Sequence, residues 1–118
     1  MIRQGEIYWV DFAGRRGSRP AGKRPVVVLQ CDAINRTAIS TVVVAAITSN
    51  LKYRSLPTSV ELSRREAGLP KRCLVNLTLI RTLGRKDLGK RIGRLGEARL
   101  LEIKAGLSVL FEMEGAMR

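Results

Sequence analysis

Arg24, Thr48 and Ser49 are the residues of this sequence whose types and spacing point to chemistry. Arg24 stands in Gly22-Lys23-Arg24-Pro25, a basic segment broken by glycine and proline that leads into the run Val26–Gln30. Thr48 and Ser49 end a second apolar run, Thr41–Ile47, in hydroxyls, and the amide of Asn50 follows. If the two runs are neighbouring strands, the arginine and the hydroxyls meet on one rim. A guanidinium is a planar fork of donors that grips two oxygens of a phosphate, and hydroxyls can complete that grip. The chain has 118 residues and a formal net charge of +12, so nucleic acid is the expected owner of the phosphate.

The charge is clustered. Arg15, Arg16, Arg19, Lys23 and Arg24 form one group with no acid among them, and Arg81, Arg85, Lys86, Lys90, Arg91 and Arg94 form a second, diluted only by Asp87. Charge this far from zero costs self-repulsion, so it points to a polyanionic partner rather than to solvation alone. Neither cluster sits on an amphipathic helix, which argues against an anionic membrane surface. The longest apolar run, Thr41–Ile47, is far short of a membrane span. The residues before Gly5 lead straight into a strand-like segment, which predicts no cleaved leader and a soluble, cytoplasmic chain. Cys31 and Cys73 are isolated and lack metal-ligand spacing, and the sequence has no histidine. Two reduced thiols in or near the core are therefore expected, with no metal and no cofactor.

The elements that must position these residues read as strands first. Gly5–Phe12 predicts a strand with Tyr8, Val10 and Phe12 on one face and Ile7 and Trp9 on the other. Residues Gly14–Gly22 read as a mobile, functional loop rich in glycine and arginine. Val26–Gln30 and Thr41–Thr48 follow as strands, joined by a turn-rich connection over Asp32–Ser40. Asn50–Thr58 reads as a loop and Val60–Leu62 as a short strand. Beyond the Gly68-Leu69-Pro70 break, Cys73–Leu83 predicts a strand with Asn76 and Thr78 opposite Val75, Leu77 and Leu79. A last short strand is expected over Ile92–Leu95. Helical spacing appears only over Glu97–Met113, where Leu100, Ile103, Leu107, Leu110 and Phe111 recur at three- and four-residue steps. With 45% hydrophobic residues and no linker, residues 1–118 are expected to form a single domain, a small curled sheet or barrel with helices to one side.

Taken in order, these segments resemble the MazF/PemK (Kid) toxins of bacterial type II toxin–antitoxin systems. The residues that carry the likeness are Gly5-Glu6-Ile7-Tyr8-Trp9, Gly17-Ser18, Gly22-x-Arg24-Pro25-Val26-Val27-Val28, Asp32 and Asn35. Thr41-Val42-Val43-Val44, Ile47-Thr48-Ser49, Pro57, Val60 and Ile80-Arg81-Thr82 continue it through nearly the whole chain. The Ile-Thr-Ser-Asn and Val-Asn-x-Thr patterns are most like actinobacterial members. The resemblance implies a mainly β, SH3-like small barrel of the MazF/CcdB type with a C-terminal helix. It also implies a homodimer, a metal-independent endoribonuclease that cuts single-stranded RNA at short sequences, and a cognate antitoxin with an acidic, disordered tail.

By the same resemblance Arg24 and Thr48 are the catalytic pair. Without a metal, the RNA's own 2′-OH attacks the adjacent phosphorus, leaving a 2′,3′-cyclic phosphate and a 5′-hydroxyl. A guanidinium stays charged in proteins, so Arg24 is read as a stabiliser of transition-state charge. Thr48 would orient the phosphate or the 2′-OH. The candidates for contacting RNA are Arg15, Arg16, Ser18, Arg19 and Lys23 from the loop, then Gln30, Ser49, Asn50, Asn76, Thr78 and Arg81. Asn76 and Thr78 either hydrogen-bond bases or face solvent, and Tyr8 and Trp9 are read as buried strand aromatics rather than stacking platforms. The chain departs from the pattern at Arg19, where many relatives have glutamate, and at Thr78-Leu79, near where many have an acid and a glutamine. It is left without an evident general base. Two other functions fit the same fold, a CcdB-type gyrase poison and an RNA-binding barrel without turnover. The first relies on C-terminal residues that include a tryptophan, and here the only tryptophan is Trp9.

Overall fold

The computed structural model describes residues 1–12 and 22–113, so Arg15, Arg16, Ser18 and Arg19, and most of the expected loop, lie outside the described residues. Among the described residues six strands form one antiparallel sheet: β1 (Glu6–Asp11), β2 (Lys23–Val28), β3 (Thr41–Thr48), β4 (Ser59–Leu62), β5 (Cys73–Gly84) and β6 (Leu88–Arg94). Their order across the sheet is β4-β5-β3-β2-β1-β6. Helix α1 (Asp32–Asn35) joins β2 to β3, and α2 (Glu97–Leu110) follows β6. The hydrogen-bond ladder is not closed, since β4 and β6 remain its two edges. A 3-10 turn at Glu66–Gly68 packs against β6 beside that opening.

The near-continuous apolar runs of β2 and β3 have a simple cause, because both faces of the sheet are buried. One face brings Ile7, Val27, Leu29, Ala45 and Ile47 together with Leu62, Val75, Leu77 and Ile103 of α2. The other gathers Val10, Val26, Val28, Val42, Val44 and Leu83, with Tyr8 and Phe12 packed against them. Each fully buried valine, leucine or isoleucine among them contributes roughly 1.5–3 kcal/mol. Residue alternation therefore fixes which face Arg24 and Thr48 share, since both have the parity of Val26 and Val44.

Several boundaries differ from the sequence reading. Strand β2 runs Lys23–Val28 rather than Val26–Gln30. Gln30 leaves the ladder because its side chain fastens the next turn: it donates to Asn35 Oδ1 (2.9 Å) and accepts from the Val43 N–H (3.2 Å). Asn35, 1% exposed, donates back to the Gln30 carbonyl at 2.8 Å, and the turn it closes is the helical α1. Strand β6 starts at Leu88, well before Ile92, because β1 supplies partners for a glycine- and charge-rich segment, Val10↔Leu88 and Tyr8↔Arg91. Helix α2 ends at Leu110, where Glu112 takes a left-handed φ of 54°, and Phe111 at the end of the expected stripe is 61% exposed.

The strict alternation expected along β5 also fails. Its register against β3 jumps from Ala45↔Ile80 to Ala46↔Asn76, so Leu77–Leu79 bulge out of the ladder. Asn76 Oδ1 holds the bulge by accepting from the Thr78 N–H (3.0 Å) and the Thr78 hydroxyl (2.6 Å). Leu77 stays in the core, whereas Leu79 is 39% exposed. No helix among the described residues is long and apolar enough to cross a membrane. Cys31 is exposed, Cys73 is buried, and both are free thiols.

Candidate active site

Strands β2 and β3 pair through Val28↔Val44, Val27↔Ala45 and Val26↔Ala46. Carried on by the same register, Arg24 falls opposite Thr48. The ladder has stopped by then, and Pro25 has no N–H with which to extend one. The parted strand ends open a cleft of about 440 Å³ that Arg24, Thr48 and Ser49 all line. Lys23 and Arg81 line it as well. Arg81 pairs with Val44 across β3–β5, and its guanidinium lies 4.9 Å from the centre of the Phe12 ring. Such stacking holds a planar cation in one orientation.

Thr48 is held by its own turn. Its Oγ1 accepts the Asn50 N–H at 3.1 Å, which uses a lone pair and leaves the hydroxyl proton to donate elsewhere. Asn50 in turn accepts the Lys52 N–H at 3.0 Å. Four expected RNA contacts are thus engaged locally and do not line the cleft. Gln30 fastens α1, Asn50 closes the turn after β3, and Asn76 and Thr78 hold the bulge. Their polar atoms are engaged by backbone and by one another, a competition that residue type alone does not reveal.

Other residues enter the cleft that sequence reasoning missed. Trp9, expected in the core, lines it, as does Phe12. Leu79 arrives through the bulge, and Leu69, Pro70 and Lys71 come from the connection between β4 and β5. The Asn-x-Thr spacing at 76–78 was the one available signal for the bulge, because an asparagine two residues before a hydroxyl favours a side-chain-to-backbone turn.

The charge of the cleft has one sign. Lys23, Arg24, Lys71 and Arg81 line it, and no carboxylate does so among the described residues. Cys73 also lines it, but burial first, then the nearby Glu66 charge, push its thiol up to about 11, so it stays protonated and weakly nucleophilic. The most buried carboxylate, Glu6, stands elsewhere on β1. Burial alone would raise its pKa, but three donors outweigh that: the Arg3 N–H (2.7 Å), the Tyr8 hydroxyl (2.9 Å) and Arg91 (2.8 Å). Glu6 is held below the ordinary carboxylate range, while burial and then Glu6 push Tyr8 up to about 12. Val10 is the β1 partner of Arg24. Glu6 is four residues away along the strand, about 13 Å, too far to take a proton in the cleft. No group of three or more His, Cys, Asp or Glu side chains among the described residues is placed to hold a metal ion.

A family model described as PemK-like, MazF-like toxin of type II toxin–antitoxin system matches residues 3–111. The chain belongs to that family. Among relatives, Endoribonuclease MazF6 of Mycobacterium tuberculosis (strain ATCC 25618 / H37Rv) is 37% identical over 113 residues, covering 96% of this chain and 99% of its own. Endoribonuclease MazF of Staphylococcus epidermidis is also 37% identical, over 92% of this chain and 90% of its own. The fold agrees with solved MazF structures. The Mycobacterium tuberculosis toxin MazF-mt6 superposes with a TM-score of 0.75 at 23% identity, over 92% of this chain and 98% of that one. A mycobacterial endoribonuclease in complex with its cognate antitoxin superposes with a TM-score of 0.72 at 23% identity, over 94% and 93%. In this MazF-like chain, then, an arginine and a threonine share a strand opening, with no acid beside them among the described residues.

Proposed function

We infer that this MazF-like chain is the toxin of a type II toxin–antitoxin system and acts as a metal-independent endoribonuclease on single-stranded RNA. The observation that carries this reading is the placement of Arg24 and Thr48 on facing positions of a cationic cleft in a chain of that family. In the reaction, the 2′-oxygen forms a bond to phosphorus as its proton leaves. The bond from phosphorus to the 5′-oxygen breaks, and that oxygen takes up a proton. Products are a 2′,3′-cyclic phosphate and a 5′-hydroxyl. Negative charge builds on the non-bridging oxygens at the transition state, and the Arg24 fork matches two of them. Thr48, with its oxygen already accepting from Asn50, donates a hydrogen bond from its hydroxyl to a phosphate oxygen. No carboxylate among the described cleft residues offers itself as the base, so the 2′-OH proton goes to water or to a substrate oxygen.

The active unit in this reading is a cytoplasmic homodimer, and the antitoxin covers the cationic cleft with an acidic tail. The chemistry is tested with an RNA oligonucleotide cut by the protein and with the same oligonucleotide carrying a 2′-deoxyribose at the cut. Mass spectrometry should find a cyclic phosphate on the ribose oligonucleotide and no product from the deoxy one. Cutting of the deoxy oligonucleotide would mean that water, not the 2′-OH, attacks.

A further inference from the structure

The connection between β4 and β5 is built as a rigid wall, and it delivers to the cleft a cation that the catalytic reading leaves unused. Leu69, Pro70 and Lys71 line the cleft on this side. Leu69 is an anchor, 2% exposed and part of the main core. Just before it the chain is locked by close backbone approach to β6. Gly68 has a φ of +83° and lies where a Cβ would be 2.8 Å from the Ile92 carbonyl. A Cβ on Gly93 would collide with the Ala67 carbonyl. Arg65 and Ala67 both hold left-handed φ values, 69° and 52°, in the same turn.

A charge clamp holds that turn to α2. Arg99 donates from Nε to Glu66 Oε2 (2.9 Å) and from Nη2 to Glu66 Oε1 (3.1 Å), a two-pronged pairing. Glu66 Oε1 also accepts the Ser63 N–H at 2.9 Å, closing the turn on itself. Lys71 makes no ion pair among the described residues, whereas its neighbour Arg72 pairs with Glu61. Strain, a core anchor and a bidentate ion pair hold this connection far more rigidly than a plain link between β4 and β5 needs. What it presents is an ammonium with no ion pair among the described residues, at a cleft that Arg24, Lys23 and Arg81 also line.

We propose that Lys71 binds a second phosphate of the RNA, beside the one gripped by Arg24, and that Arg99, through Glu66, is the positioning residue that holds Lys71 in place. The proposal rests on the nuclease reading of the cleft and adds a subsite to it. Lys71 has no part in bond making, and it fixes the register of the strand by holding the neighbouring nucleotide's backbone.

The test is binding of a mixed-sequence, fully 2′-O-methylated single-stranded RNA, which cannot be cut, followed by fluorescence anisotropy across a salt series. Removing one phosphate contact lowers the slope of log affinity against log salt by about 0.7, or about five-fold in affinity at 0.1 M salt. Lys71→Ala should show that loss and Lys71→Arg should restore it. With cleavable RNA, Lys71→Ala should raise KM while leaving kcat near wild type. Arg99→Ala should weaken binding in the wild-type background and have no further effect in the Lys71→Ala background. A slope unchanged by Lys71→Ala overturns the subsite. An Arg99→Ala effect of equal size in both backgrounds overturns the positioning role. Because the probe is uncleavable, these outcomes are read even if the protein cuts no RNA, in which case only the nuclease reading fails.

Discussion

The strand register puts Arg24 and Thr48 on facing positions of one cleft, and under the proposed nuclease reading each should tolerate only substitutions that keep its chemistry. Arg24→Ala removes the donor fork and is expected to lower kcat by about 10²-fold or more, the scale of losing a donor to a developing oxyanion. Arg24→Lys keeps the charge without the fork and should fall between the two in the same assay. Thr48→Val keeps the shape without the hydroxyl, and Thr48→Ser keeps the hydroxyl. The serine protein should retain most of the activity that the valine protein loses, by about 10²-fold. Full activity in Thr48→Val would leave the Asn50 cap as the only role of that oxygen. That these two residues would meet at one cleft was legible because arginine and hydroxyl stand at the ends of neighbouring strand-like runs. Gln30, Asn50, Asn76 and Thr78 do not line the cleft, and the reason is physical: short polar side chains are as well suited to fastening turns as to reading bases, and here they fasten turns.

At the scale of elements, β1, β3 and α2 were readable from periodicity, and β3 was found at its observed bounds of Thr41–Thr48. What periodicity could not reveal are features made by pairing. β6 exists because β1 accepts it, and the β5 bulge exists because Asn76 stabilises it against the ladder. The wall over residues 63–72 depends on contacts between segments distant in sequence, which no local pattern encodes. Its tightest point gives a stability prediction. Gly93→Ala forces the new methyl into the Ala67 carbonyl, and backbone must move to admit it. The cost should be about 1–3 kcal/mol, read as a lower urea midpoint. Gly96→Ala is the control, since a Cβ there meets nothing within 4 Å. An unchanged midpoint for Gly93→Ala would show that the turn at Glu66–Gly68 is not packed as described.

For the molecule as a whole, the excess of positive charge makes the few carboxylates valuable. Glu6 is held below the ordinary carboxylate range by donors that outweigh its burial, and Glu66 is held there first by Arg99. A carboxyl whose folded pKa is depressed contributes stability above its unfolded value of about 4.5 and loses it as the pH falls through the lower folded value. Stability should therefore be level from neutral pH to about 5 and decline below about 4.5, as followed by urea midpoints at successive pH values. Glu66→Gln should be less stable at neutral pH and show a shallower acid decline. An equally steep decline in that protein would assign the acid loss to Glu6 and the remaining carboxylates. The net charge of +12 was legible from composition and pointed to a polyanion, but which cations face the cleft depended on the fold.

The most direct test is cleavage of a long single-stranded RNA in EDTA, with every new 5′ end mapped, for the wild-type, Arg24→Ala and Thr48→Ala proteins. Discrete cuts with 5′-hydroxyl ends by the wild type, absent from both folded variants, are the expected result. RNA left intact by a folded wild-type protein, or cut equally well by either variant, would contradict the assignment of this cleft as a nuclease site.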